Sequence, residues 1–186
     1  MLLPTRCPLC NRPGPAPCAS CAALLAPARA SPYPAVVAYS GEGRRLVQAL
    51  KYRNGRAAAG ALGAAMAGLV GTGLVDVVTW APTAPSRRRA RGYDQAEVLA
   101  RAVGRPLGVP ARALLRRTDR GGPQTGRRRA ERLARAPTFV AMGRVPGRVL
   151  VVDDVVTTGA TLRAACTALL AGGASAVHAV AAAATP

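Results

Sequence analysis

The sequence is short of aromatic side chains, lysine, acidic residues and histidine, and each shortage narrows the protein's class. Only six of 186 residues are Phe, Trp or Tyr, so stacked rings can neither fill the core nor read a row of bases, and any nucleic-acid contact would fall on the backbone. His178 is the one histidine; it falls on an expected strand, reads as structural and leaves no obvious general base. Lysine occurs once, at Lys51, and 8 acidic residues face 26 basic ones, for a net charge of +18. A field of one sign draws phosphates, nucleic acid or an anionic small molecule to the surface without naming which. The opening Met-Leu-Leu-Pro-Thr-Arg-Cys holds no apolar run of signal-peptide length, so the sequence predicts a cytoplasmic protein. Residues 57–75 are uncharged but consist mainly of Ala and Gly, which predicts a helix packed closely on a sheet and no membrane span. No internal repeat is present.

What the chain has in plenty is small side chains. Half its residues are hydrophobic and 41 of them are alanine, enough for a core of close-packed Ala, Val and Leu. The length suits one ordinary domain with a small appendage. After a Pro-rich link over 27–34, β-branched runs alternate with Ala/Leu-rich helical ones. Strands are expected over 36–39, 75–80, 139–142, 148–152 and 176–181, and helices over 44–52, 57–70, 94–103 and 160–171. That alternation predicts an α/β fold with a mostly parallel sheet covered by helices, residues 31–186, preceded by a small N-terminal module, residues 1–30.

The module carries four of the five cysteines, as Cys7-Pro-Leu-Cys10 and Cys18-Ala-Ser-Cys21. Two such pairs can converge on one zinc ion as four thiolates. Prolines 8, 13, 15 and 17 exclude a regular helix or long strand there, so a covalent or coordinative link must order the segment. Zinc suits a reducing compartment, and disulfides are the other use. Cys166, in an Ala-rich helical stretch, reads as an inert thiol.

Residues 116–135 hold eight arginines and four glycine or proline breakers. A loop of that length and charge within a compact domain is a lid, a binding element or a solvated linker.

The segment richest in chemistry is Val149-Leu-Val-Val-Asp-Asp-Val-Val-Thr-Thr-Gly-Ala-Thr-Leu162. An apolar strand carries Asp153 and Asp154 to its C-terminal end, where open α/β sheets place their ligands. The chain then turns through Thr157, Thr158, Gly159, Ala160 and Thr161 into a helix, whose first amides and neighbouring hydroxyls make an anion cradle. Carboxylates beside such a cradle suit a sugar phosphate. A receiver-like acidic site would share the carboxylates and leave the threonine-glycine turn without a purpose.

This segment resembles the 5-phosphoribosyl-1-pyrophosphate (PRPP) motif of type I phosphoribosyltransferases. The four-cysteine finger, Leu50-Lys51-Tyr52, Arg91-Gly92-Tyr93-Asp94-Gln95, Gln124, Glu131-Arg132 and Phe139 narrow the resemblance to the ComF family. The resemblance implies that residues 157–161 hold the 5-phosphate and that Asp153 and Asp154 bind the ribose hydroxyls, directly or through magnesium. Ser86 and Arg87, in a pyrophosphate loop over 81–87, and Lys51 and Arg91 would hold the leaving group. Cys7, Cys10, Cys18 and Cys21 would hold zinc. Two positions depart from the family, which usually has Asn at Asp94 and at Arg135; both bear on substrate contacts.

Two functions are open on these grounds. One is transfer of phosphoribosyl to a nitrogen acceptor with release of pyrophosphate. The other is a non-catalytic PRPP or nucleotide sensor in a competence or DNA-handling assembly, binding single-stranded DNA or a competence protein. The finger could also serve a protein partner alone. Nothing in the residues identifies the acceptor.

Overall fold

The computed structural model describes residues 5–29, 31–50, 55–118 and 137–186. Its centre is a four-stranded parallel sheet in the order β1-β6-β5-β2, with β1 Ala35–Ala38, β2 Val77–Trp80, β5 Arg148–Val156 and β6 Ala176–Ala184. The strands β3 Leu115–Arg117 and β4 Phe139–Ala141 form a separate antiparallel pair. The helices among the described residues are α1 Ala19–Ala22, α2 Gly41–Ala49, α3 Gly55–Val70, α4 Pro85–Arg91, α5 Gln95–Leu107 and α6 Ala160–Ala171. The expected α/β architecture with a mostly parallel sheet is therefore the observed one. Among the described residues no helix is long and apolar enough to cross a membrane.

Strand alternation divides the interior in two, because successive side chains of a strand point to opposite faces. Leu150 and Val152 of β5, Val180 and Ala182 of β6, and Val78 and Trp80 of β2 face a cluster with Leu46 and Val47 of α2, Leu62 and Met66 of α3, and Leu99 and Val103 of α5. Val149 and Val151 face the other cluster, with Leu162, Ala165 and Leu169 of α6 and with Leu115 and Phe139 of the antiparallel pair. Cys7, Leu9 and Cys21 belong to the first cluster, and an Arg45 guanidinium on α2 donates to the Leu9 carbonyl at 3.1 Å. The N-terminal segment thus borrows core from α2 instead of building its own. The Pro-rich link covers the open edge of β1: Ala38 N donates to the Ala26 carbonyl at 2.8 Å, and Pro27 bridges Val37 in antiparallel fashion. An edge strand so covered presents no unpaired ladder to other chains.

The structure departs from the sequence expectation in several places. The helix expected over 44–52 is Gly41–Ala49, with residues 51 and 52 outside the described residues, and the one expected over 94–103 continues to Leu107. The segment after β2, expected as a loop over 81–87, becomes helix from Pro85 on, because Pro85 sits in the first turn, a run of helix-tolerant residues follows, and Gly92 closes it in the left-handed conformation at φ 78°. Strand β3, hidden by its arginines, pairs with β4. Strands β5 and β6 run four and three residues further than 152 and 181, since ladder pairing overrides the weak strand preference of Asp and Ala. The one-turn helix α1, which starts after Cys18 and contains Cys21, was not expected.

Helices α3 and α5 meet at a point where only glycine fits. A methyl group on Gly63 would lie 2.6–2.9 Å from Cβ, C and O of Ala102, whereas one on Gly60 or Gly68 would meet nothing within 4 Å. Gly63→Ala is therefore expected to cost about 1–3 kcal/mol through forced separation of the helices, while Gly68→Ala gains up to about 1 kcal/mol from helix propensity. Thermal or urea unfolding of the two variants against the parent measures both; equal effects would show that the close approach is unimportant.

Candidate functional site

Strand β5 is paired unequally. With β2 its register ends at Trp80 opposite Val152, whereas with β6 it continues from Asp153 opposite Ala181 to Val156 opposite Ala184. Asp153 and Asp154 therefore stand beyond the end of β2, inside a strand that is still held on its other edge. The Asp153 Oδ1 accepts from the Asp154 N–H at 2.8 Å. Asp153 is half-buried; desolvation first, and then the Asp154 carboxylate with a further contribution from Asp94, push its pKa well above the ordinary carboxylate value.

The following turn exposes Thr157 and Thr158 and buries Gly159, while Ala160 and Thr161 are half-buried. Gly159 is the N-cap of α6, with φ 74° and no side chain of its own to cap the helix; the Thr158 Oγ1 accepts from the Ala160 N–H at 3.4 Å, and the next first-turn amides have no partner within the helix. A Cβ at position 159 would strike Tyr33 Cε2 at 2.9 Å and Pro32 Cγ at 3.1 Å. The link residues Pro32 and Tyr33 thus brace this turn, a contact for which the sequence offered no signal.

Asp94 is buried, and its carboxylate is occupied by backbone: Oδ2 accepts from Thr83 N–H at 2.9 Å and Oδ1 from Ala96 N–H at 3.1 Å. It caps α5 and ties that helix to the loop after β2, a structural use for the side chain that the family resemblance sets toward substrate. Burial raises its pKa against the opposing pull of those N–H groups. Arg91 is half-buried, with Nη1 donating to Gln95 Oε1 at 2.6 Å. The Tyr93 hydroxyl donates to the Leu50 carbonyl, so the 91–95 block is bound to the end of α2. Ser86 and Arg87 lie exposed in the first turn of α4. Lys51, Gln124, Arg127, Arg128, Arg129, Glu131, Arg132 and Arg135 lie outside the described residues. The ends of the arginine-rich segment are closed by Thr118 N–H donating to the Thr138 carbonyl at 2.9 Å. His178 is exposed on β6 opposite Leu150, three residues short of the acidic pair's register.

The four N-terminal cysteines converge, their sulfurs all within 4.8 Å of one another. Cys7 and Cys10 bracket a tight turn, and Cys18 is the N-cap of α1, which carries Cys21 within it. The Cys10 and Cys18 sulfurs are 3.7 Å apart, close to the edge of about 3.8 Å expected of a tetrahedron with Zn–S bonds near 2.3 Å. Burial alone would raise Cys7, yet N–H groups of Cys18, Cys10 and Leu9 outweigh it and bring the thiol down to about 6. Burial and the three neighbouring sulfurs push Cys21 up to about 12. Four sulfurs this close cannot all ionise unaided, and a divalent cation relieves that conflict, so the donor set fits zinc. Cys166, on α6, is half-buried and raised by desolvation.

A profile of the phosphoribosyl transferase domain matches residues 94–186, half of the chain. The chain belongs to the phosphoribosyl transferase domain family. Solved structures to which the chain is similar include one described as the allosteric regulatory enzyme of purine biosynthesis, at 23% identity over 69% of this chain and 26% of that one, with a TM-score of 0.49. Another is the glutamine PRPP amidotransferase of B. subtilis complexed with ADP and GMP, at 26% identity over 69% of this chain and 28% of that one, with a TM-score of 0.47. A third is the hypoxanthine phosphoribosyl transferase of Trypanosoma cruzi, at 16% identity over 68% and 62% of the two chains, with a TM-score of 0.39. This chain spans little more than a quarter of the length of the first two. No curated protein matches it. The matched region of the phosphoribosyl transferase domain runs from Asp94 through the acidic strand to the C-terminus, and so contains both the capped start of α5 and the turn at Gly159.

The cysteine cluster yields a direct test. The purified protein is expected to carry one zinc per chain, and Cys10→Ser or Cys18→Ser to release it and loosen the contact of the N-terminal segment with α2. Metal analysis with thiol titration checks this: freely titratable thiols and no zinc in the native protein would refute it.

Proposed function

We propose that this phosphoribosyl transferase domain protein is of the ComF type and that it binds PRPP and passes the phosphoribosyl group to a nitrogen acceptor, releasing pyrophosphate. In this reading residues 1–30 are a zinc module and residues 31–186 the transferase domain. The single observation that carries it is the juxtaposition of Asp153 and Asp154, free of β2, with the side-chain-free helix start at Gly159. Thr157, Thr158, Gly159, Ala160 and Thr161 take the 5-phosphate on hydroxyls and amides. Asp153 and Asp154 accept from the ribose hydroxyls. Ser86, Arg87, Lys51 and Arg91 take the pyrophosphate.

The bond from C1 of the ribose to the pyrophosphate oxygen breaks with its electrons leaving on pyrophosphate. The acceptor nitrogen supplies the pair for the new N–C1 bond and then loses its proton to solvent. Positive charge builds on the ribose ring between, so the chain's work is positioning and charge balance. The hard oxygen donors of Asp153 and Asp154 suit magnesium, which when bound neutralises charge on the diphosphate.

The raised Asp153 has a consequence of definite sign. A carboxyl whose folded pKa lies above its unfolded value costs stability as pH rises past the ordinary range near ~4, because the charged form is disfavoured in the folded state. The double variant Asp153→Asn with Asp154→Asn is expected to keep or raise the melting temperature at neutral pH, and to lose magnesium-PRPP affinity by about a hundred-fold or more, since charge-assisted contacts are lost. Calorimetric titration and thermal melts across pH measure both; undiminished PRPP affinity would reduce the motif to a structural one. Screening acceptors for pyrophosphate release then separates turnover from binding alone, the latter being the result expected of a PRPP sensor in a DNA-handling assembly.

A further inference from the structure

Three polar or charged side chains are fully buried among the described residues: Thr79, Asp94 and Gln95. Thr79 Oγ1 accepts from Leu114 N–H at 3.2 Å, and Asp94 takes two backbone N–H groups. Gln95, only 4% exposed, is different. Its Oε1 accepts from Arg91, but its Nε2 has no partner among the described residues. The amide cannot be turned the other way, because a guanidinium has donors only and must face the oxygen. A buried amide donor left unmet is costly, and such an orphan marks an acceptor that the described residues do not supply.

Its surroundings say what kind of acceptor. Gln95 opens α5 directly after Asp94, whose charge is felt by Asp153 at the end of β5. Arg91, on the same short block, is locked to Gln95 at 2.6 Å. The Tyr93 hydroxyl fastens that block to Leu50, the residue before Lys51. A cation and a neutral donor are thus joined in one unit at the end of the molecule that holds the acidic pair. We infer that Gln95 is a ligand-binding residue: Nε2 donates to an anionic oxygen of the diphosphate, while Oε1 holds the Arg91 guanidinium on the same group. The inference rests on the phosphoribosyl-transfer reading and adds to it a contact outside the residues assigned from the acidic and threonine-glycine segment. A neutral amide serves here where another cation would pair with Asp94 or Asp153 instead.

Gln95→Glu is the discriminating variant, because it keeps an oxygen toward Arg91 and replaces the donor by an acceptor. Wild type, Gln95→Glu and Gln95→Met are titrated by calorimetry with magnesium pyrophosphate and with ribose 5-phosphate, and their melting temperatures are compared. The expected result is a pyrophosphate affinity weakened about ten- to a hundred-fold in both variants, the span of one lost hydrogen bond to a charged group. Ribose 5-phosphate affinity and the melting temperature of Gln95→Glu should hold at or above wild type. Wild-type pyrophosphate affinity in Gln95→Glu would overturn the inference while leaving phosphoribosyl transfer standing. A lowered melting temperature with both ligands weakened equally would also overturn it, by showing that Nε2 serves the fold through a chain acceptor. A wild-type protein that bound neither pyrophosphate nor PRPP would refute the functional reading itself, and this inference with it.

Discussion

Strand β5 is held by β6 along its whole length but by β2 only as far as Val152, and most of what the molecule can do follows from that inequality. Were both edges paired to Val156, the two aspartates would be locked between neighbours, and a desolvated pair of like charges there would be intolerable. With one edge free, the backbone stays fixed while the carboxylates reach an open side. The buried run Val149–Val152 below them, each residue contributing roughly 1.5–3 kcal/mol on burial, anchors a strand end that is itself electrostatically unfavourable. The stability spent on Asp153 is of the kind that functional sites retain.

A core of small residues shapes everything around that strand. Gly63 lets α3 settle on α5 at Ala102, and Gly159 lets the turn before α6 settle on Pro32 and Tyr33. Close approach by glycine and alanine does here what aromatic rings do elsewhere, at the expense of tolerance: a single added methyl group has nowhere to go. The N-terminal segment follows the same economy. With too few apolar residues for a core of its own, it inserts Cys7, Leu9 and Cys21 into the cluster that also contains Leu46 and Val47, so the metal-ready cysteines and the sheet share a core.

Charge is distributed with equal asymmetry. The chain carries +18 overall, yet Asp153 feels the charge of both Asp154 and Asp94, and Arg88 acts on Asp94. A strongly basic protein that collects carboxylates at one point suits a ligand with both anionic and hydroxyl groups, since neither sign alone would complement it.

Much of this was legible in the residues. The alternation of β-branched and Ala-rich runs predicts the parallel sheet; helix 160–171 and the strand leading to Asp153 are where local pattern places them, and the paired cysteines predict their own convergence. Local chemistry suffices for these because strand alternation, a glycine before a helix and a Cys-x-x-Cys turn each act within a few residues. The helix at Pro85 was readable from its proline and from Gly92, but the arginines between disguised it. What no local pattern contained was the pairing of distant segments: where β2 stops against β5, that Tyr33 braces Gly159, that Thr83 claims the Asp94 carboxylate, and that Gln95 finds no acceptor for its N–H among the described residues. Those depend on which backbones end side by side and how deeply each side chain is desolvated. The sequence by itself determined which groups could bind and bend; only the tertiary structure decided which of them are already taken and which remain free to meet a ligand.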